Sequence, residues 1–105
     1  MTDKEMLEYA AKAAGYWVCE PLRYGEFRVC LPEQHHLSFA WNPLTDDGDA
    51  LRLAVKLGIW IQIGKHFVSV NAPGGVIIEE KCGSDPNAAT RRAITRAAAE
   101  VGRKL

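Results

Sequence analysis

The sequence predicts an α+β fold: a single layered α/β domain over residues 1–105, with packed helices and a mainly antiparallel sheet. Apolar residues recur with a helical period near the start, in the middle and at the end of the chain. Between these segments they recur with a two-residue period, which is typical of strands. The predicted order is αββαβββα, and a length of 105 residues suits one domain.

The first helix is predicted over residues 3–14. Thr2 followed three residues later by Glu5 forms a capping-box pattern, and Gly15 supplies a C-terminal stop. Apolar residues at helical spacing share one face: Met6, Leu7, Ala10, Ala13 and Ala14. This pattern indicates a surface helix with one buried face.

A β-hairpin is predicted next, with strands over residues 17–22 and 26–31 and a turn at Tyr24-Gly25. In this register Cys19 faces Cys30 directly across the hairpin. Pro21 cannot donate to a strand ladder, so its strand is expected to be short or at an edge. Residues 32–36 are predicted to form a loop, and residues 37–41 a brief extended segment.

The central helix is predicted to start at Thr45 or Asp46 and to end at Gly58. Its apolar residues cover well over half of the circumference at 100° per residue: Leu51, Leu53, Ala54, Val55 and Leu57. We therefore expect this helix to be buried from more than one side.

Strands over residues 59–63 and 66–70 are predicted to join at Gly64-Lys65, and a last strand over 76–80 follows a turn at 71–75. Trp60 and Phe67 would then be diagonal neighbours on one sheet face. They are expected to form core beneath the first helix. The alternative is a surface on which bases stack.

The last helix is predicted to begin at Asp85, with Pro86 in its first turn. Its core stripe is expected to contain five residues: Ile94, Ala97, Ala98, Val101 and Leu105. Arg92, Arg96 and Arg103 lie on the opposite side. This basic side is expected to be a solvated face, with binding of phosphate or an acidic partner as the alternative.

Charge and cysteine content exclude several classes of protein. Thirteen basic and thirteen acidic residues cancel, so no overall field attracts nucleic acid or membrane. The three cysteines contain no C-x-x-C pair, which indicates reduced thiols, although a redox pair of Cys19 and Cys30 is an alternative. The polar N-terminus is unlike a signal peptide. We therefore expect a cytoplasmic protein.

Two sequence blocks, WNPLTDDGDALRLA over residues 41–54 and ATRRAI over residues 89–94, are similar to those of the phage ABA sandwich domain family. The strands between the blocks carry no diagnostic motif. The resemblance implies a compact α/β/α arrangement in a protein encoded by a phage or prophage. It implies no activity, cofactor or catalytic residue.

The order helix, three strands, helix from Thr45 onward also resembles that of a double-stranded-RNA-binding domain. Lys65 and His66 lie in the loop between its first two strands. Members of that family begin their last helix with lysines that grip phosphates. This chain has Asp85, Pro86 and Asn87 there. Candidate contacts for nucleic acid or a partner are Lys65, His66, Arg92, Arg96 and Arg103.

Two further groups of residues contain side chains of the types found in metal or catalytic sites. His35, His36 and His66 match no zinc spacing, and we expect no metal. The acids Asp46, Asp47 and Asp49 stand at a helix start, where capping and the helix dipole account for them, with a carboxylate cluster for a cation or for acid–base chemistry as the alternative. The sequence thus predicts no cofactor and no catalytic residue. We expect a non-enzymatic phage accessory protein that contacts an unidentified phage or host protein, with a homodimer or a nucleic-acid-binding module as alternatives.

Overall fold

The structure, a computed structural model, describes residues 1–19 and 25–105, with the main chain only at residues 35 and 36. Its elements are α1 (Asp3–Ala14), β1 (Trp17–Val18), β2 (Arg28–Leu31), β3 (Gln34–Ala40), α2 (Asp47–Leu57), β4 (Trp60–Ile63), β5 (Phe67–Ala72), β6 (Val76–Lys81) and α3 (Pro86–Arg103). The strands of the described residues form two antiparallel sheets, ordered β1-β2-β3 and β4-β5-β6. The predicted α+β class is confirmed.

The segment before α2 contains one strand more than the predicted order. A loop over residues 32–36 is wrong, because β3 already starts at Gln34 and the turn is confined to Pro32-Glu33. β3 pairs with β2, placing Cys30 opposite Ser38. The polar composition of this segment suggested a loop, but pairing with a neighbouring strand overrides such local preferences.

The register of β1 and β2 differs from the predicted hairpin. Trp17, rather than Cys19, lies opposite Cys30. The amide of Cys19 donates to the carbonyl oxygen of Arg28 at 2.9 Å, so Cys19 is diagonal to Cys30. The direct Cys19–Cys30 opposition is therefore wrong. The predicted strand end at residues 20–22 and the turn residue Tyr24 lie outside the described residues.

Helix α3 is the centre of the molecule. It packs against α1 on one side, against β5 and β6 on another, and against α2 along a third. Its buried residues are mostly small: Ala89, Ala93, Ile94, Thr95, Ala97, Ala98, Ala99 and Gly102. Small side chains allow close helix contact. A β-carbon at Gly102 would stand only 1.9 Å from the carbonyl oxygen of Tyr9 in α1.

Two predictions about the helical core are wrong. Leu105 is 70% exposed because α3 ends at Arg103, before this residue. The breadth of burial expected for α2 is also wrong: the helix packs against α3 and α1, with Ala50, Leu53 and Ala54 buried, but Val55 is 74% exposed. The apolar arc of α2 is wider than the surfaces that it packs against, so one flank of the helix remains uncovered.

An aromatic cluster joins the first sheet to the helices. The ring of Tyr16 meets the edges of Trp41 at 5.7 Å and Phe39 at 5.6 Å between centroids. Phe27 packs on Trp41 from the other side at 6.2 Å. The ammonium group of Lys56 lies 4.6 Å from the Tyr16 ring centroid, a cation–π contact between α2 and this cluster.

None of the helices in the described part of the chain combines the length and hydrophobicity needed to cross a bilayer.

Candidate protein-contact surface

Strand β4 is an edge of the second sheet, because β5 is its neighbour on one side and no described strand pairs with the other. Such an edge exposes main-chain groups to solvent and can pair with another chain. Sheet edges are commonly protected by lysine, proline or bulges. The four residues of β4, Trp60–Ile63, contain neither lysine nor proline. β6, at the opposite edge, contains Glu79, Glu80 and Lys81.

The hydrogen bonds of the β4–β5 hairpin show which main-chain groups are free. The amide of Gly64 donates to the carbonyl oxygen of Phe67 at 2.9 Å. In an antiparallel pair, hydrogen-bonded and non-hydrogen-bonded residue pairs alternate. Gln62 therefore points its amide and carbonyl at Ser69 in β5. The main-chain groups of Ile61 and Ile63 consequently point away from β5, towards the open edge.

Large apolar side chains surround this edge. Trp60 is 78% exposed on the outer face of the sheet, and Ile63 is 64% exposed on the inner face. On α2, Leu51 is 61% and Val55 is 74% exposed. We call these four side chains, together with the open edge of β4, the β4 surface. The open edge thus has exposed apolar side chains on both faces of the sheet and on the neighbouring helix, a combination that favours contact with another chain.

A groove of about 260 Å³ lies between α2 and the inner face of β4. Leu51 of α2 and Ile61 and Ile63 of β4 line it, and Ile94 of α3 contributes from the core. The groove exists because α3 packs under β5 and β6. The inner face of β4 is therefore covered only in part: Ile61 packs against the core, while Ile63 is 64% exposed.

The polar rim of the groove is held in place by Arg91. Its Nε donates to the carbonyl oxygen of Leu44 at 2.9 Å, and its Nη1 donates to Asp47 Oδ1 at 2.6 Å. The Arg91 side chain is only 18% exposed. These contacts tie α3 to the start of α2 and fix the position of the groove's end.

The arginines predicted as contacts are engaged in ion pairs. Arg96 bonds the carboxylate of Glu80, and Arg92 lies 3.4 Å from Asp3 and 4.0 Å from Glu80. Arg103 donates to Glu100 at 2.7 Å. Each positive charge thus has a carboxylate beside it, so these side chains do not form a free cationic patch.

The candidate residues also fall in two places. Arg92, Arg96 and Arg103 line a cleft of about 480 Å³ between the start of α1, α3 and β6. Lys65 and His66 lie exposed in the β4–β5 turn and do not line that cleft. The structure therefore does not bring the five residues into one site.

The expectation that Trp60 and Phe67 belong to the core is wrong, since they are 78% and 50% exposed. Both lie on the outer sheet face, which no described helix covers. They are not diagonal neighbours either. Phe67 lies opposite Gly64, four residues along β4 from Trp60, a separation of about 13 Å at ~3.4 Å per residue.

The acids before α2 act as capping and pairing groups. Asp46 Oδ2 accepts from the amide of Asp49 at 2.8 Å, which confirms Asp46 as the N-cap. Asp49 accepts from the amide of Asn42 at 2.9 Å and from Arg52 at 2.8 Å. Both carboxylates therefore stabilise the turn before α2 and the first turn of the helix.

The shifted pKa values have local structural causes. The hydrogen bond from the Thr2 amide lowers the pKa of Glu5 within the capping box, and the bond from Arg103 lowers the pKa of Glu100. Burial, followed by contact with Cys30, raises the pKa of the Cys19 thiol. A raised pKa reduces the thiolate fraction on which cysteine reactivity depends.

Among the side chains that the structure describes, no group of three His, Cys, Asp or Glu residues is arranged to hold a metal ion. The side chains of His35 and His36 are outside the described set, and these residues lie in β3 rather than in the predicted loop. No family model, curated protein or solved structure matches this chain.

The β4 surface was not predicted, although the sequence carries two signals for it. The apolar arc of α2 was too wide for one packing surface, and β4 lacked charge. We interpreted the first signal as burial on two sides. In the structure two of the five residues of that arc, Leu51 and Val55, are exposed instead.

Proposed function

We propose that this protein is a non-enzymatic protein-interaction module that binds its partner through the β4 surface. The observation that carries the proposal is the coincidence of an unpaired sheet edge with four side chains that are each more than 60% exposed: Leu51, Val55, Trp60 and Ile63. Covering apolar surface is the main favourable contribution to most protein association.

The edge and the side chains would act together on a bound polypeptide. A strand added beside β4 would pair with the free main-chain groups of Ile61 and Ile63. Alternate side chains of the added strand would enter the groove against Leu51 and Ile94. This is strand addition, in which main-chain hydrogen bonds supply affinity and pockets supply specificity.

The biological setting of the proposal is a phage or prophage accessory protein that acts in the cytoplasm of a bacterial host. Its support is the sequence resemblance of the blocks over residues 41–54 and 89–94.

Site-specific photocrosslinking in bacterial cells tests the proposal. A photoreactive amino acid is placed at Val55 or Ile63, both in the β4 surface. The matched control position is Lys4 on α1, whose side chain is 60% exposed. We expect discrete protein adducts, whether with the chain itself or with another protein, from the first two positions only. Adducts that are equally frequent from Lys4 would contradict the proposal.

A nucleic-acid-binding module remains the second proposal. Its support is the predicted order from residue 45 onward together with the basic residues Lys65, His66, Arg92 and Arg96. The ion pairs of the arginines and the distance between Trp60 and Phe67 disfavour it. It requires salt-sensitive binding of duplex RNA or DNA that weakens in Arg92→Ala and Arg96→Ala. Absence of binding at low salt would eliminate it.

A further inference from the structure

We propose that the occupant of the β4 surface is a second copy of this chain, paired antiparallel through β4 about a two-fold axis that passes between the two Gln62 residues. The inference rests on the proposed function, because it names the partner of the same surface. The β4-β5-β6 sheets of the two copies would then join into one continuous six-stranded sheet. Every contact at such an interface occurs twice, as an isologous dimer requires.

The main-chain geometry allows one register in particular. Of the four β4 residues, Ile61 and Ile63 point their amides and carbonyls at the edge, where no described strand pairs with them, as deduced from the Gly64–Phe67 hydrogen bond. A two-fold axis at Gln62 puts Ile61 of one copy opposite Ile63 of the other, and the reverse. Both pairs are of the hydrogen-bonded type, and each exchanges two bonds. Four main-chain hydrogen bonds would result.

The side chains suit the same register on the inner face. Residues directly opposite in an antiparallel pair share a face, so both Ile61–Ile63 pairs would lie on the inner side of the joined sheet. There they would form one apolar cluster above the groove. Leu51, which lines the groove, and Val55, one turn further along the same face of α2, would cover this cluster from both copies.

The outer face is also self-complementary. Trp60 would lie opposite Gly64 of the second copy, and the absence of a side chain there leaves room for the indole ring. Aromatic side chains pack over cross-strand glycines in this way. The two Gln62 amides would face each other, and each amide can donate and accept one hydrogen bond.

Charge distinguishes β4 from β6 as the edge for self-pairing. Residues 60–64 contain no charged side chain, so the two-fold axis brings no like charges together within the paired strands. β6 contains Glu79, Glu80 and Lys81 among its six residues. Self-pairing of β6 would place these charges at the interface between the two copies. Like charges directly opposite one another are destabilising.

The available area sets the expected affinity. Burial of a large apolar side chain removes roughly 60–120 Å² from water. The four exposed side chains on each of two copies thus supply at most roughly 500–950 Å², with the strands and rim in addition. This total is close to the lower limit of roughly 1,000–1,200 Å² for specific interfaces. We therefore expect a reversible dimer with a dissociation constant in roughly the micromolar range.

Sedimentation equilibrium of the purified chain, from about 1 to about 200 μM, measures the association. We expect a monomer–dimer equilibrium in the wild type and at least about tenfold weaker association in Ile63→Lys. The matched control is Ile77→Lys on the outer face of β6, where Ile77 is 66% exposed. It should dimerise like the wild type. Circular dichroism verifies that each variant is folded.

Disulfide crosslinking of an introduced cysteine tests the strand register independently. Gln62→Cys would place two cysteines in a non-hydrogen-bonded pair about 4.5 Å apart between α-carbons, within disulfide range. We expect a covalent dimer on mild oxidation. The control Asn71→Cys, exposed on the central strand, should give none. A Gln62→Cys chain that fails to crosslink would overturn this register.

A wild type that stays monomeric throughout the concentration range, or a dimer unaffected by Ile63→Lys, would overturn the inference. If the purified chain is monomeric but Val55 crosslinks to a different protein in cells, the proposed function stands and only the second copy is rejected. If neither experiment shows contact at the β4 surface, both proposals fail.

Discussion

Replacing Gly102 with alanine should destabilise the protein, because this residue lies where α3 crosses α1. An added β-carbon would be 1.9 Å from the carbonyl oxygen of Tyr9 and 2.8 Å from its carbonyl carbon. These are main-chain atoms of a helix and cannot rotate away as a flexible side chain could. The two helices must therefore separate, or the last turn of α3 must unwind.

The magnitude follows from two opposing effects. Overpacking costs about 1–3 kcal/mol, and a main-chain obstacle places this case near the upper end. Alanine in a helix is favoured over glycine by about 1 kcal/mol. The net loss in the free energy of unfolding is thus about 2 kcal/mol. For a chain of this length it corresponds to a fall in Tm of about 9 °C.

Urea and thermal unfolding followed by circular dichroism measure this loss. The control is Gly48→Ala in α2, where an added β-carbon meets only the side-chain ends of Arg52 and Asp46, at 3.0 to 3.2 Å. The Arg52 end can move, but Asp46 Oδ2 is held by its N-cap bond to Asp49, so we expect a net change of no more than about 1 kcal/mol in either direction. A Gly102→Ala variant as stable as the wild type would refute the close packing of α1 on α3.

Three further predictions concern single side chains. Asp46→Ala removes the N-cap of α2 and should lower the free energy of unfolding by about 1 kcal/mol, measured in urea; no change would argue against the cap. Arg91→Ala removes the bonds to Leu44 and Asp47 and should lower the free energy of unfolding by about 1–2 kcal/mol. Most of this loss should come from the unpaired Leu44 carbonyl, because Asp47 is exposed and its ion pair contributes little. Because burial raises the pKa of Cys19, iodoacetamide should label this thiol more slowly in the folded chain than in urea, with the rate rising at a higher pH than for an ordinary thiol. Equal labelling rates would contradict this environment.

Helix boundaries were predictable because the interactions that set them are local in the chain. The capping box at Thr2, the N-caps Asp46 and Asp85, and the left-handed glycines 15 and 58 are all present. Each of these signals depends on residues within one turn of the helix end. The period-two faces of β4 and β5 were also predicted correctly, since alternation is a property of the single strand.

Strand register and element order were not predictable to the same degree. The β4–β5 turn is centred on Lys65-His66, one position later than predicted, which changes every cross-strand pair by two residues. That change separates Trp60 from Phe67. β3 was assigned partly to a loop because its pairing with β2 lies outside the local sequence. Register depends on which partners are present and how their turns close.

Sequence alone determined the class of fold, the caps and ends of the helices, and the width of the apolar arc on α2. Only the tertiary structure decided that α3, rather than α2, occupies the centre, and that Leu51, Val55, Trp60 and Ile63 remain exposed. The physical reason is that an apolar pattern states how much surface a segment can bury. Whether that surface is covered depends on the packing of elements distant in the chain, and at β4 the described chain covers Ile61 in part and leaves Trp60 and Ile63 exposed.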